Sequence, residues 1–179
     1  MKEEKKSTLA LRKEMLAIAR KEVGVVEVPK NSNTGKDVLK YQRATNLAGT
    51  GWPYCAAFVD WVILQWGKNP EVLSALGMDA AKFEKWRPKT AAAYGFHEWA
   101  EEKGLLIIDE NKNPGETVLH TGDIVTFDFS HIGIIDTDKG NVLYTIEGNT
   151  DAAGSRDGGG VYEKTRARSL ARKIIRILP

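Results

Sequence analysis

The chain holds a single cysteine, Cys55, in the stretch Gly51-Trp52-Pro53-Tyr54-Cys55-Ala56-Ala57-Phe58-Val59. A cysteine that attacks amides needs a histidine to take the thiol proton and return it to the leaving amine. That imidazole needs a third polar group to hold one tautomer. Three histidines are present. His97 falls within a helical pattern and His120 beside the Gly122 turn, each with an ordinary structural or surface reading. His131 opens the β-rich run His131-Ile132-Gly133-Ile134-Ile135 directly after a Phe129-Ser130 turn, and so projects from the rim of a sheet. In the next run, Leu143 to Asn149, Glu147 and Asn149 stand two apart and share one face of a strand. Antiparallel pairing through the Asp138-Lys139-Gly140-Asn141 turn brings the end of this strand back to the start of the first, with Glu147 and Asn149 beside His131. Cys55, His131, Glu147 and Asn149 are therefore the candidate catalytic set. A plainer reading also fits: Cys55 as a small buried hydrophobe, and the other three as routine polar residues at strand ends.

The elements that must position these groups follow from local signals. Pro53 disfavours helix at the residue before it, and Phe58, Val62 and Trp66 then recur on one helical face with Val59 and Ile63 beside them. Cys55 thus opens a helix that ends near Gly67. Unpaired N–H groups and the positive end of the dipole at a helix N-terminus stabilise a thiolate, the nucleophilic form of the side chain. The Cys55 N–H would also donate to an oxyanion, with a second donor from Trp52-Pro53-Tyr54 or elsewhere.

Other helices are expected from Ser7 as N-cap to about Val23, with Gly24 as the stop, and from about Lys36 to Thr45. Asn69-Pro70 starts a further helix closed by Gly77, Asp79 caps one over Ala80 to Trp86, and Thr90 caps one over Ala91 to Lys103. We read Trp61, Trp66, Trp86, Tyr94, Phe96 and Trp99 as packing aromatics and Asp60 as a helix-surface charge. After Gly104 the pattern turns to short β-rich segments at Leu105–Ile108, Ile124–Phe129, Ile132–Asp136, Val142–Glu147, Gly160–Lys164 and Ala171–Ile177. Helices followed by strands predict an α+β domain with an antiparallel sheet packed against the helices. The Gly-, Ser- and Asn-rich loops Val25–Gly35 and Thr150–Gly160 are the expected flanks of a substrate cleft.

The bulk numbers narrow the function classes. A length of 179 residues fits one domain, residues 1–179, which we read as a monomer. A net charge of +2 provides no global field toward nucleic acid or membrane. One cysteine cannot form an internal disulfide or build a zinc site by itself. The start Met1-Lys2-Glu3-Glu4-Lys5-Lys6-Ser7 lacks the apolar core of a signal peptide, and no apolar run approaches the roughly 18 residues that span a bilayer. The expectation is a cytoplasmic chain, one whose leader has been removed, or one exported by another route.

Gly-Trp-Pro-Tyr-Cys-Ala-Ala-Phe-Val around Cys55, Gly122-Asp123-Ile124-Val125, Ser130-His131-Ile132-Gly133-Ile134, Thr145-Ile146-Glu147-Gly148-Asn149-Thr150 and Gly160-Val161-Tyr162 together resemble the CHAP family. These are cysteine, histidine-dependent amidohydrolases/peptidases, papain-like peptidoglycan hydrolases of bacteria and their phages. The resemblance runs from about Ala19 to Ile177. It implies a papain-like fold, Cys55 as nucleophile, His131 as general base and acid, and Glu147 as the group orienting the imidazole. Asn149 matches a further polar position of the family's site. The implied substrate is peptidoglycan, cut at the N-acetylmuramoyl-L-alanine amide or within the stem or cross-bridge, so the protein would act on the cell wall.

Some phage members carry an aspartate-rich calcium loop before the nucleophile, but Ala44 to Tyr54 has no Asp or Glu. No calcium and no cofactor are expected there. No separate cell-wall-binding module is recognisable. Alternatives of the same chemistry are a phage lysin working with a holin, or an antibacterial amidase toxin paired with an immunity protein. A catalytically idle wall-binding module is a third reading.

Overall fold

The computed structural model describes residues 7–179; the polar run Met1 to Lys6, read above as lacking a signal-peptide core, lies outside the described residues. Six α-helices come first: α1 (Thr8–Arg20), α2 (Lys36–Gln42), α3 (Cys55–Trp66), α4 (Pro70–Leu76), α5 (Ala80–Trp86) and α6 (Gly95–Glu102). The strands follow: β1 (Leu106–Asp109), β2 (Ile124–Phe127), β3 (His131–Asp138), β4 (Val142–Thr150), β5 (Gly160–Ala167) and β6 (Ala171–Arg176). They form one six-stranded antiparallel sheet in the order β1-β6-β2-β3-β4-β5. The architecture is therefore α+β. Among the described residues no helix is long and apolar enough to cross a membrane.

Side-chain caps set most helix boundaries. Ser7 Oγ accepts the Ala10 N–H at the start of α1, and Asp79 Oδ1 accepts the Lys82 N–H at the start of α5. Asn69 caps α4 through the Glu71 N–H, Pro70 occupies its first turn, and Gly77 closes it at φ 68°. Three expectations need correction. α1 ends at Arg20 rather than near Val23, because the chain turns there and Gly24 N–H donates to Val161 O on β5. α2 likewise stops at Gln42, where Ala44 and Thr45 form tighter turns back to Tyr41 and Gln42. The helix expected from Ala91 begins only at Gly95, since Thr90 Oγ1 accepts the Ala92 N–H and closes a local turn. Residues 91–94 therefore stay irregular.

α3 is the centre of the molecule. Nine of its 12 residues are buried, as expected of a helix apolar on almost every side. Phe58, Val59, Val62, Ile63 and Trp66 pack with Ile132, Ile134 and Ile146 of the sheet, and Leu11, Met15 and Val38 complete this core. Trp66 also donates its indole N–H to Leu11 O at 2.9 Å, tying α1 to α3. A second apolar cluster, including Val125, Phe127, Ile135, Leu143 and Ile174, covers the other face of the sheet. The Gly122-Asp123 pair has a structural role: Arg176 donates to both Asp123 oxygens at 2.9 and 2.7 Å and locks β6 to the start of β2.

The close approach of α3 to β4 depends on a glycine. A Cβ on Gly148 would lie 2.7 Å from Phe58 Cβ, so any side chain there pushes α3 off the strand. Gly148→Ala is expected to lower stability by about 1–3 kcal/mol as an overpacked core substitution. Urea denaturation checks this, and an unchanged midpoint would show that the contact does not set the spacing.

Candidate active site

Cys55 is the first residue of α3, preceded by Tyr54 at φ −116°, ψ 17° without a side-chain cap. Its side chain is buried but for 8% and reaches a cleft of about 370 Å³. Trp52, Pro53, the 91–94 segment, His97, Ser130, Arg156 and Arg172 wall this cleft. The irregular stretch where a helix had been expected thus forms one side of it. Tyr94, read from sequence as packing, is 58% exposed and faces the cleft.

His131 begins β3 and is fully buried rather than projecting from a rim. Its Nε2 bonds Glu147 Oε2 at 3.0 Å, which leaves Nδ1 as the nitrogen with no protein partner. Burial by itself would push the imidazole down in proton affinity. Cys55 and Glu147 outweigh it and hold His131 up at about 9. Cys55 therefore acts on the ring at close range, while Nδ1 keeps no partner of hydrogen-bond geometry among the described residues. Phe129 stacks on the ring at 5.7 Å and Phe127 stacks on Phe129 at 5.2 Å, so water is kept from the imidazole's faces.

Glu147 is fully buried and saturated with donors. Thr145 Oγ1 donates to Oε1 at 2.5 Å, Arg166 Nε to Oε1 at 3.0 Å, and Arg166 Nη2 to Oε2 at 2.5 Å. Burial alone would raise this carboxyl, but His131, Arg166 and Thr145 hold it down at about 2. It is thus a fixed anion aimed at one imidazole nitrogen. Arg166 in turn lies over Phe127 and Phe129 and donates to Gly154 O. Gly133 faces Glu147 across the strand pair, and a Cβ there would stand 2.6 Å from Glu147 Cγ.

Asn149, expected beside His131 with no task assigned to it, bonds elsewhere. It is buried at φ 58°, where the β4–β5 register shifts, and it makes no bond to His131. Its Oδ1 accepts the Tyr54 N–H at 2.8 Å and its Nδ2 donates to Arg156 O at 3.2 Å. It fastens the residue before Cys55 to the sheet. Pro53 has no N–H and the backbone N–H of Tyr54 is committed to Asn149; the Trp52 indole N–H and the Tyr54 hydroxyl have no partner among the described residues.

The remaining expectations divide. His97 is buried, bonds Thr126 Oγ1 at 2.6 Å and is lowered to about 4 by burial and by Lys173 and Arg172, so it is neutral. His120 bonds Arg12 at 2.7 Å. Asp60 is a correction: it is fully buried, not a surface charge, and neither oxygen has a hydrogen-bond partner among the described residues. Burial pushes its carboxyl well above the usual range, with Arg87 acting in the opposite sense. The loops 25–35 and 150–160 pair with each other through Val26 and Gly160 and line a separate hollow. Of these two loops, only Arg156 reaches the Cys55 cleft.

Arg166 and Thr145 were missed by sequence reasoning. Thr145 could have been found, being two residues from Glu147 and so on its face. Arg166 could not, since its register depends on how the 151–159 loop is spanned. No protein-family model, no curated protein and no solved structure matches the chain.

Two outcomes are expected. In Asn149→Gly the positive φ is kept without strain while the acceptor for Tyr54 N–H is lost; stability falls by about 1–3 kcal/mol and Cys55 reacts more slowly with iodoacetamide. Denaturation and alkylation rates unchanged from those of the parent protein would remove the positioning role. His131 observed by NMR stays charged until the pH rises through about 9, and its stabilising effect, complete below its unfolded value, is lost over the same rise. Cys55→Ala removes one of the two groups holding it up, so the transition moves to lower pH; an unmoved transition would mean that the thiol and imidazole are not coupled.

Proposed function

We propose that this protein is a papain-like cysteine amidohydrolase of the CHAP type that cleaves an amide of peptidoglycan: the N-acetylmuramoyl-L-alanine amide or a peptide bond of the stem or cross-bridge. The single observation that carries the reading is the line Cys55, His131, Glu147. It joins a thiol at a helix N-terminus in an open cleft to a buried imidazole, whose far nitrogen is held by a saturated carboxylate. The motif resemblance adds the substrate class.

In this reading the Cys55 thiolate attacks the amide carbonyl and the carbonyl π pair moves onto oxygen. The Cys55 N–H at the start of α3 donates to that oxyanion. The tetrahedral species collapses as the C–N bond breaks, and the protonated His131 gives its proton from Nδ1 to the leaving amine. A thioester to Cys55 remains. Water, deprotonated by the now neutral His131, attacks it and releases the carboxylic acid, restoring thiolate and imidazolium. Glu147 keeps Nε2–H engaged throughout, so that Nδ1 is the nitrogen that exchanges the proton. Asn149 holds Tyr54, and through it the nucleophile, in register with the ring.

Digestion of purified sacculi by the protein and by Cys55→Ala, with mass spectrometry of the soluble fragments, tests this. The protein with its cysteine is expected to release fragments whose new termini name the bond, and the variant to lose at least about three powers of ten in rate. Sacculi of several chemotypes left intact by both proteins would sink the peptidoglycan assignment.

A further inference from the structure

The charge inside the cleft is unlike that of the molecule as a whole. The chain carries 26 basic and 24 acidic residues, for a net +2, yet the cleft that admits ligands to Cys55 has two arginines, Arg156 and Arg172, and no Asp or Glu in its lining. The histidine in its wall, His97, is neutral. Both arginines are exposed. Arg172 has no side-chain hydrogen bond or ion pair among the described residues. Arg156 has only an open contact with Asp157 at 3.5 Å between side chains that are 55% and 59% exposed, a pair worth little and easily displaced. The lining also has apolar stretches, Trp52, Pro53 and Ala91 to Ala93 among them.

The position of Arg156 is not left to a loose loop. Asn149 Nδ2 donates to Arg156 O while Asn149 Oδ1 holds the Tyr54 N–H, so one side chain ties the arginine and the nucleophile's helix to the same point. Thr150 Oγ1 donates to Ser155 O at 2.6 Å and Asp151 Oδ1 accepts from Gly154 and Ser155, which folds the loop tightly around its tip. Arg172 stands on β6, an inner strand of the sheet.

We infer that the cleft selects substrates bearing a carboxylate next to the scissile amide, with Arg156 and Arg172 as the groups that bind it. A guanidinium presents a planar pair of donors matched to a carboxylate, and an apolar wall beside it strengthens the attraction by excluding water. The inference rests on the reading of Cys55 as the nucleophile of an amide hydrolase; peptidoglycan stem peptides carry free carboxylates of this kind.

Because Cys55 is the only thiol of the chain, its alkylation reports on the cleft without any substrate. Iodoacetate and iodoacetamide form the same S–CH2 bond and expel the same iodide, but only the first carries a carboxylate. The ratio of their rates cancels changes in the thiolate population. Relative to the ratio for N-acetylcysteine, the protein is expected to favour iodoacetate by about threefold to tenfold, an effect narrowed at about 1 M salt, where the screening length falls to about 3 Å. Arg156→Gln and Arg172→Gln each remove part of the preference and the double variant lowers it to the part owed to the charged His131, while Lys139→Gln, at the far end of the β3–β4 hairpin, leaves it unchanged. If the double variant does not fold, the two single variants decide. An equal ratio in parent and variants overturns the inference, and so does a thiol that reacts with neither reagent, since the cleft then admits no ligand. Intact sacculi with the iodoacetate preference preserved would sink the peptidoglycan assignment alone; digestion without the preference would sink the carboxylate site alone.

Discussion

The fully buried Glu147 carboxylate is the interaction on which the site depends. An anion at that depth is costly unless it is fully paired, and here Arg166, Thr145 and His131 supply five donor contacts to its two oxygens. Each donor comes from a different part of the sheet: Thr145 from the same strand, Arg166 from β5 and His131 from β3. The carboxylate therefore joins three adjacent strands at one point. Removing either member of the Glu147–Arg166 pair would leave the other buried charge without this partner, a loss of about 3–5 kcal/mol in comparable cases.

The same network sets the chemistry. A carboxylate already satisfied by an arginine and a hydroxyl does not compete to take the imidazole's proton, as its lowered proton affinity of about 2 states. It orients the ring and favours its charged form. Cys55 adds to that from the other side, and the stacked Phe127, Phe129 and His131 rings keep solvent out. The arrangement shields the His131 proton from bulk water.

The second constraint is steric. Gly148 lets Phe58 approach β4, Gly133 leaves room for the Glu147 side chain, and the positive φ of Asn149 turns its amide toward Tyr54. These three adjustments, within two neighbouring strands, bring the N-terminus of α3 against the end of the β3–β4 hairpin. The helix places Cys55 and the hairpin places His131; neither element carries the site by itself.

The sequence by itself determined the local elements and the choice of candidate groups. Ser7, Asn69-Pro70, Gly77 and Asp79 mark helix ends because their side chains or backbone satisfy N–H and C=O groups only a few residues away. Cys55 at a helix start and Glu147 near His131 were legible for the same reason, through helical periodicity and a short hairpin. Other features turned on partners far along the chain. Asn149 bonds a backbone 95 residues away, and Arg166 reaches Glu147 only through the register set beyond the 151–159 loop. Asp60 shows the limit most plainly: a charged residue on a helix reads as exposed, and only the packing of α3 on every side buries it. Periodicity and capping act over a few residues and are written in the chain, whereas register across a long loop and the total coverage of a helix are decided when the whole core closes.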